Sequence, residues 1–143
     1  MRITISGTPG SGKSTLAKRL AKKLGYPYLN AGQIFRDAAT KREMTLAKFA
    51  VYVEAHPELD RKLDAALVAR ARTYDDAVLE GRLTGWMTKR ARLPAFRIWV
   101  TARESTRVDR IMEREHGTRA ETLRKLKERA TGQARRSNKY YAI

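Results

Sequence analysis

Residues 5–15 of the chain read ISGTPGSGKST, and this stretch decides how the rest of the sequence is interpreted. It contains the pattern G-x-x-x-x-G-K-[ST], in which a glycine-rich loop precedes a lysine and a hydroxyl side chain. A short β-branched run at residues 2–6 comes before the loop, and apolar residues recur at three- and four-residue spacing from Ser14 to Leu24 after it. These flanks predict a strand before the loop and a helix after it, which Gly25 ends.

Each part of this pattern suits the binding of a polyphosphate. Glycines permit positive φ angles and let backbone N–H groups approach phosphate oxygens. The helix that begins near Lys13 directs its unpaired N–H groups and the positive end of its dipole toward the same anion. Lys13 can reach the β- and γ-phosphates, and the Ser14 hydroxyl can bind Mg²⁺. We therefore expect Lys13 to meet a triphosphate.

The composition limits the possible classes of function. A chain of 143 residues is most simply one domain. The absence of cysteine excludes disulfides, thiolate metal sites and cysteine nucleophiles, and favours a reducing, cytoplasmic location. The net charge of +16 attracts polyanions, although exposed lysines and arginines are usually just solvated. No segment resembles a secretory signal or a membrane span, so we expect no membrane partner.

The remaining pattern alternates strands with helices, which predicts a parallel α/β sheet with right-handed crossovers. Apolar runs at 77–79 and 98–100 are typical of strands buried in such a sheet, and a weaker strand is predicted at 26–29. Trp86 and Trp99 are expected in the core. Further helices are predicted at about 32–41, 45–55, 57–73, 104–115 and 119–139.

Several further motifs follow the glycine loop in a fixed order: NAGQIFR (30–36), HPELDRKLD (56–64), VLEGRLTGWM (78–87), RVDRIMERE (107–115) and the terminal KYYAI (139–143). Over essentially its full length the chain resembles the nucleoside monophosphate kinases among the P-loop NTPases, and most closely the archaeal-type (type 2) cytidylate kinases. The resemblance implies ATP-dependent phosphorylation of CMP, with dCMP or UMP as further acceptors and Mg²⁺ as cofactor. It also implies a three-layer α/β/α fold with a parallel sheet, a helical monophosphate-binding insert and a helical lid.

The resemblance divides this single domain (1–143) into a core at about 1–31 and 74–113, an insert at about 32–73 and a lid at about 114–139. Members of the family normally continue past the position of Ile143 into another strand and a final helix. We therefore expect a C-terminally truncated chain that lacks both elements. The absent strand is expected beside the first strand, and the loop after it to help hold the adenine of ATP.

The resemblance also assigns roles to individual residues. ATP would be bound by Gly7, Thr8, Pro9, Gly10, Ser11, Gly12, Lys13, Ser14 and Thr15. The catalytic cations would be Lys13, Arg82, Arg129 and Arg136, the last two on the lid. The acceptor monophosphate would meet Asn30, Gly32, Arg36 and Arg82. Arg110 and Arg114 would flank the lid hinge. Mg²⁺ would be bound by Ser14 directly and by Glu80 through water.

Other interpretations remain open for several of these residues. Arg36 could be a surface charge of a helix, and Glu80 could pair with a neighbouring arginine. Asp60 and Asp64 share one helix face and could touch the acceptor base or ribose, or form a salt bridge on that helix. An adenylate kinase-like enzyme and a P-loop module that binds RNA are the alternative functions. The favoured interpretation needs only ATP and CMP as partners, with no obligatory nucleic acid and a monomeric chain.

Overall fold

A computed structural model describes residues 1–141, except for the side chains of Gln133, Arg136, Lys139, Tyr140 and Tyr141. Strands and helices alternate through this part of the chain, much as the sequence predicts. In order they are β1 (Arg2–Gly7), α1 (Lys13–Leu24), β2 (Tyr28–Asn30), α2 (Ala31–Lys41), α3 (Leu46–Ala55), α4 (Pro57–Arg72), β3 (Ala77–Glu80), α5 (Thr84–Arg90), β4 (Phe96–Val100), α6 (Glu104–Glu115) and α7 (Arg119–Tyr141).

The strands form one parallel sheet in the order β2-β3-β1-β4. In a parallel sheet the carboxyl ends of all strands lie at the same edge, which is where ligands bind in open α/β folds. Here that edge brings together the last residues of the strands, with Asn30 opposite Glu80 and Gly7 opposite Val100. The parallel sheet predicted from the sequence is confirmed.

Helices cover both faces of the sheet, which confirms the three-layer arrangement. On one face, Ile3 and Ile5 of β1 pack with Val78 of β3 against Ala17 and Ala21 of α1. The opposite face buries Leu29 and Leu79 against α4 and α5. Burying such side chains contributes about 1.5–3 kcal/mol each, so the two apolar clusters hold the layers together.

Helix α5 is an element that the sequence analysis does not predict. Its short segment contains Gly85 and two threonines, and it has no apolar periodicity long enough to indicate a helix. Gly85 lets the helix lie directly on β1, because a Cβ there would be 3.2 Å from Oγ1 of Thr4. The backbone N–H of Gly85 donates to Oγ of Ser6 at 3.0 Å. Close packing on the sheet, rather than local propensity, therefore stabilises this helix.

The three helices between β2 and β3 form a unit with an apolar cluster of its own. Phe49 and Val53 of α3 are fully buried against Ala38 and Ala39 of α2. Asn30 caps α2 and Thr45 caps α3, each by accepting from a backbone N–H in the first turn. A separate small cluster joins α6 to α7. None of the helices of residues 1–141 is both long and apolar enough to cross a membrane.

The structure corrects three expectations. Trp99 is 60% exposed and Phe96 is 62% exposed, so β4 is not the buried strand that its apolar run suggests, and Trp99 is not a core residue. Strand β2 begins two residues later than predicted. Strand β1 pairs with β3 on one side and with β4 on the other, so no further strand can lie beside it. The last two residues of the KYYAI motif lie outside the described residues.

Candidate active site

A cleft of about 540 Å³ opens at the carboxyl edge of the sheet. Its walls come from the glycine loop, from α2, α3 and α4, from the segment that joins β3 to α5, and from α7 at Ser137. The cleft therefore brings together side chains that lie far apart in the sequence. The sequence-predicted site residues that line it are Gly7, Thr8, Lys13, Ser14, Asn30, Gly32, Arg36, Asp60, Glu80 and Arg82.

The glycine loop is tightly enclosed by the rest of the protein. A Cβ on Gly7 would be 2.3 Å from the carbonyl oxygen of Val100, at the end of β4. Gly10 has a φ of +77°, and a Cβ there would be 2.8 Å from the carbonyl oxygen of Arg107 on α6. These two glycines are thus required by contacts with β4 and α6 as well as by any phosphate. The loop residues that do not line the cleft are Pro9, Gly10, Ser11, Gly12 and Thr15.

Lys13 begins α1 at the floor of the cleft. Burial lowers the pKa of its ammonium group, and the positive charges of Arg82 and Arg114 lower that pKa further, whereas the carboxylate of Glu80 opposes the shift. A partly desolvated cation near two guanidinium groups is stabilised by an incoming anion. The electrostatics of this position therefore suit a polyphosphate.

Glu80, at the end of β3, is 4% exposed and accepts hydrogen bonds from three side chains. Its Oε1 accepts from the Ser14 hydroxyl at 2.7 Å. Its Oε2 accepts from the Tyr28 hydroxyl and from Nδ2 of Asn30. This buried carboxylate faces the P-loop hydroxyl, and those hydrogen bonds stabilise its charge.

Tyr28 is a site residue that the sequence analysis missed. Burial raises the pKa of its phenol to about 12, and the hydrogen bond to Glu80 adds to that rise. The phenol therefore keeps its proton at neutral pH and acts as a donor. The only sequence signal was its position two residues before Asn30, which places both side chains on the same face of β2.

Another part of the cleft wall is built around the start of α2. Oδ1 of Asn30 accepts from the backbone N–H of Gln33 at 3.0 Å and so caps the helix. A Cβ on Gly32 would be 2.9 Å from that same oxygen, which explains the glycine. One turn later, Nε and Nη2 of Arg36 donate to Oε1 of Gln33 at 3.2 and 2.9 Å. Arg36 is exposed at the cleft with a neutral amide as its hydrogen-bond partner.

Two carboxylates of α4 line the cleft together with several apolar side chains. Asp60 and Asp64 are half-buried there, beside Phe35, Ala50 and Leu63. Asp60 makes no ion pair with any described side chain, so the helix salt bridge considered for it is absent from this part of the chain. Acidic groups in a cleft that otherwise carries arginine and lysine suit a hydrogen-bond donor on the ligand, not its phosphate.

The remaining predicted arginines whose side chains are described, Arg110, Arg114 and Arg129, do not line the cleft. Arg110 donates to the carbonyl oxygen of Gly10 at 3.2 Å and so contacts the P-loop from outside. Arg114 and Arg129 both approach Glu115, with Nη-to-Oε1 distances of 2.9 and 3.7 Å. Neither lines the cleft. The hydrogen bond from Arg114 is the main cause that lowers the pKa of Glu115. The side chain of Arg136 lies outside the described residues.

The described residues contain no group of three or more His, Cys, Asp and Glu side chains that could enclose a metal ion. A Mg²⁺ that is held chiefly by phosphate oxygens and water needs only one or two protein ligands. Ser14 and the buried Glu80, 2.7 Å apart, provide a hydroxyl and a carboxylate of the kind such an ion uses. The donor set thus fits a nucleotide-bound Mg²⁺.

Comparison with known proteins adds an independent line of support. Residues 3–132 match a family described as AAA domain. The chain is 44% identical over its full length to the cytidylate kinase of Halobacterium salinarum, of which it covers 73%, and 40% identical to that of Archaeoglobus fulgidus, of which it covers 78%. Among solved structures it is similar to the shikimate kinase of Bacteroides thetaiotaomicron, with a TM-score of 0.61 and 15% identity over 97% of this chain and 82% of that one. The last likeness shows the fold alone.

Proposed function

Because this chain belongs to the cytidylate kinase family, we propose that it transfers the γ-phosphoryl group of ATP to CMP, with dCMP and UMP as further acceptors. The observation that carries this proposal is the convergence of two sets of residues on one cleft. Lys13 and Ser14 of the P-loop line this cleft, and so do Arg36 of α2 and Arg82, which follows β3. ATP and a monophosphate can therefore meet there.

The reaction is a direct in-line displacement. A phosphate oxygen of CMP attacks the γ-phosphorus of ATP, the bond to the β–γ bridging oxygen breaks, and ADP and CDP leave. The protein contributes alignment and charge neutralisation, because little covalent chemistry is left for its side chains. If Lys13, Arg36 or Arg82 contacts the transferring phosphoryl group, that contact stabilises the transition state by about 3–4 kcal/mol, by analogy with the donors of an oxyanion hole.

At the donor end, the backbone N–H groups of the loop and the ammonium of Lys13 hold the ATP phosphates. The Ser14 hydroxyl and Glu80 are the residues that would hold Mg²⁺, Glu80 through water. When bound, that ion neutralises charge on the β- and γ-phosphates. Glu80 keeps the Ser14 hydroxyl oriented through the 2.7 Å hydrogen bond, so both groups are in place before the nucleotide arrives.

At the acceptor end, Arg36 and Arg82 grip the phosphate of CMP. A guanidinium suits this task because its planar donors match two phosphate oxygens at once. Asn30 and Gly32 shape the turn that presents Arg36, since Asn30 caps α2 and Gly32 leaves room for the cap. Asp60 faces the base, where its carboxylate can accept from the exocyclic amino group of cytosine.

The lid assignment is also part of the proposal. Arg129 and Arg136 lie seven residues apart on α7, which separates them by about two turns of the same face. Ser137 of that helix already lines the cleft. Closure of α7 over bound nucleotides would exchange the contact of Arg129 with Glu115 for one with phosphate, and would exclude water so that ATP is not hydrolysed. Arg110 and Arg114 flank the start of this movement.

We further propose that the enzyme works in the cytoplasm as a monomer and needs no nucleic acid. The small-molecule substrates and the absence of cysteine support this assignment. Two polyanionic nucleotides in one cleft repel each other, and the net charge of +16 offsets that repulsion.

A coupled assay of ADP release tests the function. With ATP and Mg²⁺ present, CMP should give the highest kcat/KM in a series that also contains dCMP, UMP and AMP. If AMP were the best acceptor, the enzyme would be adenylate kinase-like. If no acceptor stimulated ADP release and the protein instead bound RNA with a steep dependence on salt, the kinase assignment would be wrong.

A further inference from the structure

The hydrogen bonds of Glu80 are divided unequally between its two oxygens. The Tyr28 hydroxyl and Nδ2 of Asn30 both donate to Oε2, while the Ser14 hydroxyl donates to Oε1 at 2.7 Å. A carboxylate oxygen accepts about two hydrogen bonds. Oε2 is therefore saturated by side chains of β2, and the acceptor position that these contacts leave is on Oε1, beside the P-loop hydroxyl.

The backbone holds the two donors in place. Strand β2 pairs with β3 in a register that sets Tyr28 opposite Val78 and Asn30 opposite Glu80. The side chains of Tyr28 and Asn30 also contact each other, with Nδ2 of Asn30 2.6 Å from the phenol oxygen. The carboxylate of Glu80 is thus fixed by a pair of donors whose own positions are determined by the sheet.

Asn30 makes a second connection through its other amide atom. Its Oδ1 caps α2 at Gln33 N–H, and Arg36 lies one turn further along that helix. One amide group therefore links the carboxylate at the P-loop to the helix that carries the arginine at the acceptor end of the cleft.

We propose that Tyr28 and Asn30 are positioning residues that direct Oε1 of Glu80 toward the water shell of the nucleotide-bound Mg²⁺. This inference rests on the proposed function in one respect: the site must bind a nucleotide together with Mg²⁺. By occupying Oε2, the two donors prevent the carboxylate from rotating away from Ser14. The same contacts keep α2 in a fixed position relative to that carboxylate. Neither residue is required to touch a substrate.

Binding of ADP, measured by calorimetry with and without Mg²⁺, tests this role without any turnover. In Tyr28→Phe the carboxylate loses one donor but keeps its packing. We expect the strengthening of ADP binding by Mg²⁺ to fall about 10- to 100-fold, the usual loss for residues that orient a metal ligand, while ADP affinity without Mg²⁺ stays the same. Tyr26→Phe is the matched control, because the Tyr26 hydroxyl has no hydrogen-bond partner among the described residues.

A purely structural role would give a different result. If Tyr28→Phe lowered ADP affinity equally with and without Mg²⁺, or left the effect of Mg²⁺ unchanged, the proposal would be overturned. A double-mutant cycle adds a second criterion: in a Glu80→Gln background, Tyr28→Phe should cause no further loss of the Mg²⁺ effect. Independent, additive losses would contradict a role through Glu80.

Asn30→Ser keeps the inference testable if Tyr28→Phe does not fold. Serine can still cap α2 with its hydroxyl oxygen, but its side chain is one atom shorter than that of asparagine and has no group at the position of Nδ2. We expect the same selective loss of the Mg²⁺ effect, and an unchanged Mg²⁺ effect would overturn the role of Asn30. Because these experiments contain no acceptor, they can succeed even if CMP proves to be a poor substrate, so the two proposals fail separately.

Discussion

Replacement of Arg36 by lysine isolates the geometry of the acceptor-phosphate contact from its charge. In the structure the Arg36 guanidinium donates to Oε1 of Gln33 at 3.2 and 2.9 Å and is otherwise exposed at the cleft. Replacing this guanidinium should therefore change the free energy of unfolding only slightly. Lysine preserves the positive charge but provides a point donor in place of the planar fork.

The expected size of the effect follows from the hydrogen bond that lysine cannot make. A charge-assisted hydrogen bond contributes about 1.5–3 kcal/mol, which corresponds to about a 10- to 150-fold change in an equilibrium constant. Because the acceptor phosphate is held before and during transfer, the change should appear mainly as a higher KM for CMP, with a smaller effect on kcat.

Steady-state rates at saturating ATP over a range of CMP concentrations measure this change. Arg70→Lys is the matched control, since Arg70 is exposed on α4 in the same helical unit but does not line the cleft. An unchanged KM for CMP in Arg36→Lys would refute the assignment of Arg36, and so would an equal rise in both variants.

Other consequences of the site can be tested in the same way. Lys13→Met should lower kcat by about 100- to 1000-fold without lowering the midpoint of thermal unfolding, because the buried ammonium is costly without its ligand. Burial lowers the pKa of Lys13, and bound phosphates should raise it again, so ATP binding at alkaline pH should take up protons. Proton uptake makes the measured binding enthalpy depend on the buffer, and this dependence should be lost in Lys13→Met. Asp60→Asn should lower the ratio of kcat/KM for CMP to that for UMP about tenfold, because an amide can also donate to the uracil oxygen; an unchanged ratio would remove Asp60 from base recognition. Gly10→Ala should reduce the free energy of unfolding more than Gly25→Ala does, since both have positive φ but only Gly10 faces backbone at 2.8 Å; equal losses in urea titrations would contradict the packing of the loop on α6.

Most of the fold could be predicted because its signals are local. The glycine loop with its flanking strand and helix, and the apolar spacing of α1, α4 and α6, depend on residues that are close in the sequence. Helix α5 could not be predicted in this way, because it is stabilised by the contact of Gly85 with β1, about 80 residues away in the chain. The exposure of Trp99 could not be predicted either, because an apolar run does not indicate whether its strand lies at the edge of the sheet.

For the site, the sequence predicted several residues that line the cleft but not how they are connected, and its candidates Arg110, Arg114 and Arg129 are not among the lining residues. Lys13, Arg36, Glu80 and Arg82 could be assigned because each follows a strand or a recognisable motif. The role of Tyr28 could not, since it depends on the pairing of β2 with β3 and on the burial of Glu80. Asn30 was expected as a residue of the acceptor-binding turn, whereas in the structure its amide both caps α2 and donates to the carboxylate of Glu80.

The most direct test of the central claim is a crystal structure with a bisubstrate analogue in which a polyphosphate chain joins cytidine to adenosine. The convergence of the P-loop and the acceptor-end arginines predicts that Lys13 contacts the phosphates on the adenosine side and that Arg36 and Arg82 contact the phosphate next to cytidine, all within one cleft. An analogue bound elsewhere, or bound in this cleft with both arginines directed away from its phosphates, would contradict the account.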